Sequence, residues 1–112
     1  MAYDEFLAER IKRVYEIRRV PFIAKKMFGG VCFLVNDKMC AGVLKQDLMV
    51  RIDPEKNEKE LKRPGASPMD FSGKSMKGFI MIDPLHVDMD DDLEYWIDLA
   101  LEFNPRAKAS KK

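Results

Sequence analysis

The residues of this chain with the reach to do chemistry are Cys32, Cys40, His86, an aspartate run and the basic stretch Lys25-Lys26 ahead of Gly29-Gly30. Two cysteines and one histidine do not close a zinc site without carboxylates, so no metal is expected. Cys32 and Cys40 flank an expected hairpin turn, which makes a disulfide geometrically conceivable. In a reducing compartment, buried free thiols are the preferred reading. Asp88, Asp90, Asp91 and Asp92 offer oxygen ligands for a hard cation, but they lack the loop and glycine of an EF-hand. Acid placed at a helix N-terminus explains them better.

No catalytic set assembles. There is no nucleophile elbow, no phosphate loop of the GxxxxGK type and no HExxH pair. His86 is the only histidine, and it lies in the connector Pro84-Leu85-His86-Val87-Asp88, where a surface role is expected. The expectation is a non-enzymatic protein without a cofactor. The candidate binding residues are Lys25, Lys26, Gly29, Gly30, Met49, Arg51 and Lys77. Backbone N–H groups at Gly29-Gly30, with the two ammonium groups, could cradle an anion. The competing reading is a crowded backbone position with its lysines in solvent. Arg51 and Lys77 are expected on the polar face of a sheet. Met49 falls out of phase with Leu48, Val50 and Ile52, and is expected to be exposed for contact.

The elements that must hold these residues follow from periodicity. Tyr3, Leu7, Ile11, Val14 and Tyr15 recur at helical spacing, so a helix is expected from near Asp4, its cap, to near Arg18, with Pro21 as its stop. Three strands follow: Val31 to Val35, Met39 to Leu44 and Leu48 to Ile52. The first two join at Asn36-Asp37, and a tight turn around Lys45-Gln46-Asp47 precedes the third. Asp53-Pro54-Glu55 opens a short polar helix anchored by Leu61. Met69 to Phe71 and Met76 to Ile82 read as a second hairpin. A final helix carries Leu93, Trp96, Ile97, Ala100 and Leu101 on one stripe and ends at Asn104-Pro105. The expected class is α+β, a two-layer antiparallel sheet with helices in the order α-β-β-β-α-β-β-α. One domain over residues 1–104 is expected, with a basic flexible tail over 105–112.

The 112 residues are 46% apolar and 35% charged with a net charge of +1, the composition of an ordinary globular domain. No apolar run approaches the roughly 20 residues that span a bilayer. The acidic start, Met1 to Phe6, is unlike a signal peptide. A cytoplasmic protein without membrane attachment is expected. The charge is uneven: residues 83–104 carry eight acidic residues and no lysine or arginine, whereas 105–112 carry four basic and no acidic ones. Tight DNA binding by the chain alone is not expected, because phosphate recognition needs a continuous basic face.

Lys25-Lys26-Met27-Phe28-Gly29-Gly30, the hairpin spacing, Pro68-Met69-Asp70-Phe71 and Met76-Lys77-Gly78-Phe79 together resemble the N-terminal domain of the TfoX/Sxy family, bacterial regulators of competence genes. The resemblance spans roughly residues 3–104. It implies a two-layer fold shared with secretion-chaperone-like proteins and a regulatory or protein-interaction role in transcription or competence. Full-length family members are thought to act with a cyclic-AMP-receptor-type activator and carry a second, C-terminal domain. The chain is read as the N-terminal domain standing alone. The implied partner is a protein, with a transcription regulator as the candidate and a homodimer as a further option. The other readings are a nucleic-acid-binding accessory protein and an enzyme. Some relatives carry methyltransferase labels, but this chain has no glycine-rich cofactor loop.

Overall fold

The computed structural model describes residues 4–27, 29–71 and 74–107, without the side chains of 27, 70, 71 and 74–76. Helix α1 (Glu5–Ile17) begins where expected. The Asp4 carboxylate accepts from the backbone N–H groups of Phe6 and Leu7 at 3.0 and 3.1 Å. That satisfies two donors with no partner inside the helix. The Asp4 N–H in turn donates to the Lys45 carbonyl at 2.7 Å, which ties the helix start to a strand turn. The helix ends before Pro21. Arg19 sits at φ +58°, while Val20 N–H bonds Tyr15 O and Arg19 N–H bonds Glu16 O. This is a Schellman stop built without glycine.

Six strands follow: β1 (Ile23–Met27), β2 (Gly30–Val35), β3 (Lys38–Leu44), β4 (Asp47–Arg51), β5 (Ala66–Phe71) and β6 (Lys74–Ile82). They form one sheet, ordered β1-β2-β3-β4-β6-β5, and every neighbouring pair is antiparallel. The fold is α+β as expected, with one strand more. β1 is the addition. Among the described residues it pairs on one side only, and its residues 23–26 are all exposed. No alternation of apolar and polar residues marks it, because neither of its faces is buried. Phe22, just before it, holds the chain down: its ring lies 5.2 Å from Tyr15 and 5.6 Å from Phe33.

The β2–β3 turn places Asn36 and Asp37 at φ +56° and +63°. This is the left-handed pair that a two-residue hairpin requires. A short 3-10 turn, Pro54–Lys56, leads into helix α2 (Asn57–Leu61), which connects β4 to β5. Helix α3 (Asp90–Phe103) packs beside α1 on one face of the sheet. Leu93, Trp96, Ile97 and Ala100 are buried there against Val43, Leu48, Val50, Ile80 and Ile82. Burial of each large side chain contributes about 1.5–3 kcal/mol, so this face holds most of the stability.

The opposite face carries a second, smaller cluster. Cys32, Met49 and Met69 are buried, with Met39, Leu44, Phe79 and Met81 packed against them. Met49 does point away from Leu48 and Val50, as its phase requires, but it is fully buried and not exposed for contact. Gly42 explains part of this. Its missing side chain leaves room for the Met49 methyl group, which lies 3.3 Å from where a Cβ would stand. Cys32 and Cys40 belong to clusters on opposite faces and are free thiols. The sheet lies between them, which rules out the conceivable disulfide.

Residues 105–107 of the expected tail are structured. Asn104–Arg106 forms a 3-10 turn, Arg106 donates to Asp53 at 2.8 Å, and Ala107 is buried. Residues 108–112 lie outside the described residues.

Candidate functional site

The β1–β2 hairpin brings four of the seven candidate residues together. Lys25 and Lys26 are consecutive on β1, so they point to opposite faces of the sheet. Lys25 sits opposite Cys32, on the face away from the helices, and Lys26 sits opposite Val31, on the helix face. Both are exposed. Neither makes a hydrogen bond or ion pair among the described side chains.

The two glycines of the hairpin serve different needs. Gly29 holds φ +74° with open space around it, so its requirement is conformational. Gly30 has an ordinary φ, but a Cβ there would collide with the Val43 carbonyl oxygen. Its requirement is room. An anion cradle at this pair is not needed to explain either residue.

Arg51 and Met49 lie on β4, three strand spacings from β1, or about 14 Å across the sheet. They do not share a site with Lys25 and Lys26. Arg51 is partly buried, and its guanidinium stands 5.3 Å from the centre of the Phe79 ring, its register partner. Burial lowers its pKa. Lys77 is exposed on β6.

On the helix side, charge is consumed between elements. Arg18 donates to Asp98 at 2.5 and 2.8 Å and to Glu94 at 3.2 Å. Its hydrogen bond to Asp98 raises its pKa. Arg10 pairs with Asp90 at 3.1 Å. Arg10 of α1 and Arg18 at its C-terminal end are therefore paired with the acidic α3, while Lys12 pairs with Glu9 within α1. Sequence spacing hid the pairs with α3, because those partners lie about eighty positions apart.

Two buried polar groups also escaped the sequence reading. Glu60 accepts from Arg63 Nε at 2.7 Å and from the Tyr95 hydroxyl at 2.8 Å, and the Arg63 guanidinium stacks 4.1 Å above the Tyr95 ring. Asn104 donates to the Val35 carbonyl at 3.0 Å and accepts from Asn36 at 2.9 Å, pinning the end of α3 to the β2–β3 turn. Both groups join elements to one another. His86 is exposed, as expected. Among the described residues, no group of three or more histidine, cysteine, aspartate or glutamate side chains could hold a metal ion. Among the described residues, no helix is long and apolar enough to cross a membrane either.

These features define a two-layer α+β domain whose edge strand β1 carries the exposed Lys25 and Lys26. The family model described as the TfoX N-terminal domain matches residues 18–104, and the chain belongs to that family. No curated protein and no solved structure matches the chain.

Proposed function

We propose that the chain is a non-enzymatic regulatory domain that acts by binding a protein partner, in transcription or competence regulation. One observation carries the reading. Arg10 of α1 and Arg18 at its end are spent on α3 and Lys12 on Glu9, while Lys25 and Lys26 on the sheet edge make no pair among the described side chains. A duplex approaching α1 meets Asp90, Glu94 and Asp98 beside the arginines, and phosphate binding needs unopposed cations. The perturbed groups also support a non-catalytic role. Arg18 and Arg106 are shifted by ion pairs between elements, Arg63 by its local pair with Glu60, and Cys32, Cys40 and Tyr15 by burial. Catalytic groups are shifted together within a cleft. Family membership supports the regulatory setting.

The test is reconstitution. A protein cross-linked to the chain in its native host is purified and mixed with the purified chain. The reading expects a stoichiometric complex by sedimentation. A chain that sediments alone beside every such candidate would refute it.

A further inference from the structure

We propose that β1 is the docking edge: an acidic, extended segment of a partner protein adds to it as a seventh strand. The proposal rests on the reading of the chain as a protein-interaction domain and says where and how it binds.

The two edges of the sheet differ. β5 carries Pro68, which has no N–H to offer, and its pairing shifts register between Pro68 and Asp70. Both features blunt an edge. β1 carries neither over residues 23–27, and its register with β2 is unbroken. It therefore presents alternate N–H and C=O groups outward along its length. Ile23 is 54% exposed at its start, on the same face as Lys25. On the helix face, a groove runs between α1 and β1, lined by Glu5, Glu9 and Lys12 from α1 and by Ala24 and Lys26 from β1, with Val31 behind them. It is placed to take side chains from a strand added alongside.

Charge selects the occupant. Antiparallel pairing of β1 with β1 of a second copy, centred on this strand, sets Lys25 against Lys25, or Lys25 or Lys26 against Lys26. Like charges directly opposite are destabilising. An acidic strand reverses that sign. Because Lys25 and Lys26 point to opposite faces, the matching strand carries two consecutive acidic residues, one for each face. β-Branched apolar residues on either side would meet Ile23, Ala24 and the groove. Lys12 in the groove wall is paired with Glu9 at 3.3 Å, which leaves Lys26 and Glu5 as the remaining charges on that side. The selection for acid therefore rests on the residues directly opposite Lys25 and Lys26, and it is stronger at Lys25, on the face away from α1.

The probe is a short capped peptide with Glu-Glu at its centre between valines and threonines, fluorescently labelled and titrated into the full chain. Amide hydrogen exchange is measured on the complex. Saturable binding is expected, with protection gained in residues 24–26 and none gained in β5. Lys25→Glu with Lys26→Glu should weaken binding about tenfold. These side chains are exposed, so the fold is kept. The Lys-Lys version of the peptide should bind that variant better than the parent chain. Absence of binding, protection that appears in β5 instead, equal affinity for parent and variant, or β1 protection that comes from self-association would each overturn the proposal. A reconstituted partner that binds the double variant undiminished would overturn the edge while leaving the protein-interaction reading intact.

Discussion

Arg18, at the end of α1, holds Asp98, in the middle of α3, by two hydrogen bonds from one guanidinium, 2.5 and 2.8 Å long. The two helices touch each other as well as the sheet, and this fork with Glu94 fixes how they lie side by side. Exposed pairs contribute little singly, but a forked pair inside a network is at the upper end of that range. Arg18→Ala should cost about 1 kcal/mol in urea unfolding. Asp98→Ala should cost about the same, and the two together less than their sum. Strict additivity would contradict the coupling.

The two hairpin glycines should separate under substitution. Gly29→Ala has space but keeps a left-handed φ, at about 1 kcal/mol. Gly30→Ala drives a methyl group into the Val43 carbonyl and must shift the β2–β3 pairing, at roughly 2–3 kcal/mol. The urea midpoints give the order. Gly29→Ala as the more damaging change would contradict the assignment.

Trp96 is the only tryptophan and is 4% exposed, on the stripe of Leu93, Ile97 and Ala100. Native emission should be blue-shifted and should move red on unfolding. Trp96→Ala should cost about 3–5 kcal/mol. Water-like emission from the folded protein would show that α3 is not seated as described.

Burial pushes both thiols up, Cys32 and Cys40 each to about 11 from the ordinary 9.0. Tyr15, whose buried hydroxyl lies by Cys40, is raised too, mainly by desolvation. The folded state favours the neutral forms. Their contribution to stability is therefore fully present below pH 9 and is lost as pH rises from about 9 through 11. Native protein at pH 8 should react slowly with a thiol reagent, and unfolded protein should show two thiols quickly. Rapid labelling of the native state would contradict the burial of both.

The fold was legible where a local signal matched its tertiary use. Asp4 as a cap, Asn36-Asp37 as a hairpin turn and the Trp96 stripe each needed only a few neighbouring residues. β1 was not legible, because an edge strand exposed on both faces has no periodicity to read. Met49 was placed on the correct face but with the wrong exposure. Phase tells which way a side chain points, not whether Met69, Met81 and Phe79 will close over it. Glu60 read as polar helix surface, because Tyr95, which buries it, is thirty-five residues away. Of the candidate site, the hairpin quartet was visible as one motif. The pairing of Arg10 and Arg18 with α3 was not, because it depends on packing alone.

The central claim is that the chain recognises protein and does not grip nucleic acid by itself. Fluorescence anisotropy with a labelled duplex at physiological salt tests it most directly. Weak binding that falls further as salt is raised is predicted, since Arg10 and Arg18 are opposed by Asp90, Glu94 and Asp98. A sub-micromolar dissociation constant that persists after removal of residues 105–112 would contradict it and establish direct nucleic-acid recognition.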